Sequence, residues 1–231
     1  MKAGKGQTMT GLGRVQRFLR EPVNGLTHCV GAVLAVVGLV FLVLEASNPP
    51  RPWHITTYSV FGMGMILLYT VSTLYHWLPL SDTALARLRK LDHMMIFILI
   101  AATYTPLCLI PLRGSLGWSL FGSIWAIAIF GIIFKIFWIQ APRWISAGVY
   151  VFMGWLALAG IGPIVKTLQP GAVFWLFAGG LFYSVGALIY AVKRPDPLPN
   201  VFGFHEIFHI FVLMGSFSHF WTIYRYVSAF S

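Results

Sequence analysis

Carboxylates are scarce in this chain: six Asp and Glu in 231 residues, against sixteen Lys and Arg. Charged residues amount to only 10%, well below the ~25% usual for a soluble domain. Disorder needs low hydrophobicity and high charge, so a chain that is 58% hydrophobic is excluded from that class. Only two cysteines occur, Cys29 and Cys108, both inside apolar runs, which excludes a disulfide framework and reads them as small buried residues. There is no Gly-rich phosphate loop, no Ser-His-Asp order and no Cys-x-x-Cys pair. The formal charge of +10 would suggest nucleic acid in a soluble protein, but here the basic residues sit in short clusters between long apolar runs. That distribution belongs to a membrane protein and argues against a nucleic-acid partner.

What is present in quantity is apolar length, with a mean hydropathy of +0.79. A spanning helix needs about 20 apolar residues. Seven stretches meet this, at 24–45, 55–78, 92–112, 116–138, 143–165, 171–192 and 204–227. The first is too long and too far from the N-terminus for a cleaved signal peptide. The connectors are short and rich in Pro, Gly and Asn, and no soluble domain fits between the spans. The expected organisation is therefore all-α: a basic segment over residues 1–23 and a single seven-helix membrane domain over 24–231.

Orientation follows from the basic residues of alternate connectors. Lys2, Lys5, Arg14, Arg17, Arg20, Arg87, Arg89, Lys90, Lys135, Arg143, Lys193 and Arg194 fall on one side; Arg51, Arg113, Lys166 and Arg225 fall on the other. Twelve against four places the N-terminus in the cytoplasm and, after seven crossings, the C-terminus outside. Gly11 to Arg20 alternates basic and apolar residues, as a surface helix on anionic headgroups or a topology anchor would.

Ionisable groups inside a bilayer are costly, so each is a functional candidate. The sharpest set is His205-Glu206-Ile207-Phe208-His209 at the start of the seventh span. Histidines at i and i+4 share a helix face one turn apart, a spacing at which two imidazoles can bind one metal. With Glu206 between them the segment also matches the H-E-x-x-H pattern of zinc hydrolases. Two histidines facing a polar cavity would look the same. His219, ten residues past His209, lies about 15 Å further along the helix and cannot reach the same ion. A third ligand must come from another helix.

The topology nominates His76, which ends the second span on the same side, while Asp92 starts the third. Ser72 precedes His76 by four residues and so shares its face, placed to support a ligand or a water. Asp92 could ligate directly but is better cast as the carboxylate that orients and deprotonates a water activated by the metal. Asn24 and His28 share a face of the first span, which enters from the same side with Glu21, and they could line the same pocket. Asn24 as a helix cap and His28 as a core histidine are equally open. His93 points away from Asp92 by roughly 100°, His54 falls in a connector on the other side, and Pro106 should kink the third span. The many aromatics are read as packing and interfacial belts, not as a cofactor box.

The ordered set Glu21-Pro22-Val23-Asn24-Gly25-Leu26-Thr27-His28, Ser72-Thr73-Leu74-Tyr75-His76, Leu91-Asp92-His93, Tyr104-Thr105-Pro106 and His205-Glu206-Ile207-Phe208-His209 resembles the hemolysin III family. That family groups with the progestin and adiponectin receptors and, more distantly, with the alkaline ceramidases. The compact connectors look like its bacterial branch, which implies a multi-pass protein of the bacterial cytoplasmic (inner) membrane. The resemblance implies Zn2+ bound by His76, His205 and His209, with Asp92 holding the activated water and Ser72 supporting it. It also implies, by analogy with the ceramidases, a zinc-dependent hydrolase of a lipid amide or ester, with membrane lipids as partners. Two other readings stay open at this point: a non-catalytic sensor or cytolytic protein with structural zinc, and an intramembrane metalloprotease with Glu206 as base.

Overall fold

The computed structural model describes residues 19–199 and 201–230. The basic stretch up to Phe18, including most of the Gly11 to Arg20 segment, lies outside them. Eight α-helices follow in order: α1 Pro22–Ser47, α2 Pro52–Trp77, α3 Asp82–Leu109, α4 Ser115–Phe137, α5 Arg143–Trp155, α6 Ile161–Thr167, α7 Pro170–Val192 and α8 Phe204–Arg225. A 3-10 segment, Leu156–Gly160, joins α5 to α6, so that these two make one span, and a short 3-10 turn, Val227–Ala229, follows α8. Seven spans long and apolar enough to cross a membrane result, and no strand occurs among the described residues.

Proline opens α1, α2 and α7, where its missing N–H is one of the helix's unpaired donors anyway. α1 packs on α2, α2 on α3, α3 on α4 and α7 on α8, while α5 lies against α7 and α1 closes the ring on α8. Half of the apolar window of α2 and of α3 is buried inside the bundle, against 17% for the fifth and sixth spans. The periphery instead presents Phe130, Phe137, Trp144 and Phe174, exposures that only a lipid surround makes favourable. The bundle has a basic end, carrying Arg20, Arg89, Lys135, Arg143 and Lys193, and an opposite end, carrying Arg51, Arg113, Lys166 and Arg225.

Two elements differ from the sequence expectation. α3 starts at Asp82, ten residues before the apolar run, because Ser81 caps it (its hydroxyl accepts the Ala84 N–H at 3.5 Å) and the polar stretch to Leu91 continues the helix. Asp92 therefore lies a few turns inside α3 instead of at its start. The fifth span is interrupted, and a distant side chain repairs the break. The Tyr104 hydroxyl on α3 donates to the Gly154 carbonyl at 2.7 Å and accepts the Ala157 N–H at 2.9 Å. Away from water such freed backbone groups need protein partners.

Candidate metal centre

The start of α1 and the end of α2 are joined through their backbones: Glu21 N donates to the His76 carbonyl at 2.9 Å and Arg20 N to the Trp77 carbonyl at 3.2 Å. Gly25 makes this approach possible. A Cβ there would lie 2.0 Å from the Trp77 ring, whose Nε1 donates to the Pro22 carbonyl at 3.1 Å. The pairing brings the Glu21 carboxylate to His76, with Oε2 2.6 Å from Nδ1. Asn24 Nδ2 donates to the same oxygen at 3.1 Å, and Arg20 holds the other carboxylate oxygen at 2.9 Å. Burial alone would raise the Glu21 carboxyl, but the hydrogen bond from His76 and the Arg20 guanidinium hold it down at about 2. An ionised Glu21 accepts a hydrogen bond from the His76 Nδ1–H, which leaves Nε2 of that ring as the free lone pair. His76 is 1% exposed, and its Nε2 is buried without a hydrogen-bond partner.

α8 supplies the other two rings. His209 is buried, and its Nδ1 lies 3.2 Å from the Asn24 carbonyl and 3.0 Å from Thr27 Oγ1. The Thr27 hydroxyl itself donates to the Asn24 carbonyl at 2.7 Å, so its oxygen accepts. Both partners require a protonated Nδ1 and again leave Nε2 free. The three rings form a near-equilateral triangle: centroids are 5.0 Å apart for His76 and His205, 5.0 Å for His76 and His209, and 4.8 Å for His205 and His209. One nitrogen from each lies within 4.8 Å of the others. A buried, unpartnered imidazole nitrogen facing two more is the donor set of a metal site, and this cluster could hold a metal ion.

Asp92 stays outside that cluster, which closes on the three histidines alone among the described residues. Its carboxylate neighbours are Ser72, His76 and Glu21. Ser72 is buried one turn from His76, as its spacing predicted. His28 lies beside the centre: its ring stacks on His209 at 3.6 Å with an interplanar angle of 8°, and Tyr69 meets its edge at 5.1 Å. Both His28 nitrogens and Asn24 Oδ1 are buried without partners. Asn24 and His28 thus border the same three rings.

Glu206 is placed differently. Its Oε2 accepts the Gly203 N–H at 2.8 Å, closing the first turn of α8. A carboxylate at this helix position serves as a cap, turned toward the backbone of its own first turn. His54 is buried inside the first turn of α2 at the opposite end, and His219 stacks on Tyr183. Sequence reasoning put Glu21 at the right face of the membrane but missed its bond to His76. The signal was available: Glu21, Asn24 and His28 fall at i, i+3 and i+7, one face of α1.

Away from the basic end, the helices that carry the site, α2, α3 and α8, also line an apolar cavity of about 150 Å³. Leu68 lies one turn from Ser72, Ile96 one turn from Asp92, and Phe208 and Val212 flank His209; all four line it.

A family model described as Haemolysin-III related matches residues 16–220. The chain is 41% identical over 218 residues to Hemolysin-3 of Bacillus cereus, covering 93% of this chain and 95% of that protein. It is 39% identical over 206 residues to a Hemolysin-3 homolog of Bacillus subtilis (strain 168), covering 89% and 93%. At 25% identity over 235 residues it also matches the Adiponectin receptor protein of Drosophila melanogaster, covering 88% of this chain and 50% of that one. With its seven spans and its ring of three histidines, the chain belongs to the haemolysin III-related family of multi-pass membrane proteins.

Proposed function

We propose that the protein is a zinc-dependent hydrolase of a lipid amide or ester, oriented with its basic end toward the cytoplasm of a bacterial inner membrane. The observation that carries this reading is the three-histidine cluster, together with an apolar cavity lined by its neighbours Phe208 and Val212 on α8. Such an apolar lining beside a centre able to hold a metal suits an acyl chain. Zinc, when bound, supplies Lewis acidity that polarises a carbonyl and brings the pKa of water to about 7. His76, His205 and His209 hold the ion through ring nitrogens, and Glu21, Asn24 and Thr27 fix the rings. Asp92, next to His76 and Ser72, takes the proton from the attacking water at a carboxylate oxygen and returns it to the leaving group. Ser72 steadies that carboxylate.

Metal analysis of the purified protein, combined with hydrolysis assays on a panel of lipid amides and esters, tests the reading. Turnover that Asp92→Ala abolishes while the zinc content stays unchanged is expected. A protein free of zinc, or one that retains zinc but turns over nothing on the panel, sinks it.

A second reading rests on the relatives named Hemolysin-3. There the metal is structural and the protein permeabilises membranes. Erythrocyte lysis that persists in Asp92→Ala but disappears in His76→Ala favours this alternative.

A further inference from the structure

Among the described residues, none of the chain's six carboxylates pairs with either of two cations at the basic end, Lys135 and Arg143. Glu21 pairs with Arg20 and His76, Glu45 with Arg51, and Glu206 with the Gly203 N–H. Asp82 sits in the first turn of α3, Asp92 beside Ser72 and His76, and Asp196 against Gly203. Lys135 of α4 and Arg143 of α5 meanwhile come together through Ser146, which takes the Lys135 ammonium one turn after Arg143. No ion pair joins either to a carboxylate among the described residues.

Positive residues that only set topology are expected to be solvated, as Arg87, Arg89, Lys193 and Arg194 are. Lys135 is buried and Arg143 half-buried. Lys135, which the sequence reading assigned to a connector, is 1% exposed inside the last turns of α4, and its ammonium donates to the Ser146 hydroxyl. A buried ammonium with a single neutral partner lacks the counter-charge that burial calls for. The Arg143 guanidinium lies over the rings of Tyr190 at 5.0 Å and Phe204 at 5.5 Å, and its buried Nη1 has no partner. Arg143 is also the first residue of α5, a helix of 13 residues with no side-chain cap and no acid in its first turn. Free N–H groups and the helix dipole there favour an anion as well.

The flanks of this group face lipid. Phe137 and Trp138 follow Lys135, and Trp144 follows Arg143, with exposures of 84%, 47% and 69%. Large aromatics exposed at a helix end belong to the headgroup level of a bilayer.

We infer that Lys135 and Arg143 form a binding site for the phosphate of an anionic lipid headgroup. The site borders the metal centre, because the Tyr190 ring that carries Arg143 on one side meets His205 at 5.7 Å on another. The inference stands independently of hydrolysis, since it concerns binding alone. Arginine and lysine donors to a phosphate make charge-assisted hydrogen bonds, and an anion here supplies the counter-charge that the chain's own carboxylates do not.

Native mass spectrometry of the full-length protein in detergent, titrated separately with phosphatidylglycerol and phosphatidylcholine, tests this. The unmodified protein should retain one phosphatidylglycerol at least about tenfold more tightly than phosphatidylcholine, the scale of one or two hydrogen bonds to a charged group. Lys135→Met and Arg143→Gln should erase that preference, while Lys193→Gln, which removes an equal charge at the same end, should keep it. Inorganic phosphate in excess should displace the phosphatidylglycerol. Tight binding of inorganic phosphate without any lipid preference keeps the phosphate chemistry and assigns it to a soluble source. The inference is overturned when the unmodified protein neither distinguishes the two lipids nor responds to phosphate. An equal loss in Lys193→Gln overturns it too. The comparison on unmodified protein decides the matter even where a variant fails to fold.

Discussion

Both ends of the bundle place an arginine next to a glutamate and a histidine close by, yet they use them in opposite ways. At the opposite end Arg51 is consumed by the fold. Its Nη1 donates to the Ser228 carbonyl at 2.6 Å, and its Nη2 donates to the Glu45 carbonyl at 2.9 Å and faces the Glu45 carboxylate at 3.8 Å. Tyr58 adds a bond to Ser228 Oγ at 2.9 Å, so the α1–α2 connector is tied to the turn after α8. At the basic end Arg20 and Glu21 also bond to each other, but the chain of contacts continues into His76 Nδ1 and ends at ring nitrogens with no protein partner. One network terminates on backbone carbonyls and the other on open lone pairs. Stability is what the first can supply; the second is built to receive something.

Substitutions can break this contrast in order of expected size. Replacing His76, His205 or His209 with Ala should lower metal affinity by more than about 100-fold, beyond the range of supporting residues. His54→Ala at the opposite end should leave it unchanged. Metal content after dialysis reads both. Glu21→Ala should weaken metal binding by about 10–100-fold while every ligand remains, whereas Glu45→Ala should not alter it; competition with a chromogenic chelator measures the difference. Arg51→Leu should invert the pattern. It strands carbonyls of the C-terminal turn and should cost about 1–3 kcal/mol of stability, visible as a lower melting temperature with full metal content. Glu206→Ala should have the smallest effect, about 1 kcal/mol for a lost helix cap, with metal and turnover retained. Abolished turnover in Glu206→Ala would restore Glu206 as a base and collapse the distinction between capping and chemistry.

The seven spans were legible because each is a long apolar run, and the histidines because their i, i+4 spacing survives any choice of boundary. What escaped the sequence was decided by partners far away in the chain. The break in the fifth span depends on Tyr104, some fifty residues earlier, whose hydroxyl satisfies both sides of it. The early start of α3 lies in a polar stretch that hydropathy does not register. Glu206 looked like part of a catalytic motif because its capping partner is Gly203, a residue with no side chain to announce a cap. Lys135 read as a topology signal because burial is invisible in a count of charges. The positions of Ser72, Asn24 and His28 were legible as faces of helices, but the stacking of His28 on His209 required the packing of α1 against α8.

Gly25 carries a consequence for how this chain can change over time. Nothing about a glycine marks it as part of a metal site, and it offers no ligand atom. Yet the Trp77 ring occupies the space that any other side chain at this position would need. An alanine would have to lever α1 away from α2, lengthening the bond from His76 to Glu21 without altering either residue. In a saturation library selected for metal retention, position 25 should therefore tolerate as few replacements as the histidines themselves. Such constraint would come from the absence of an atom rather than from the presence of one.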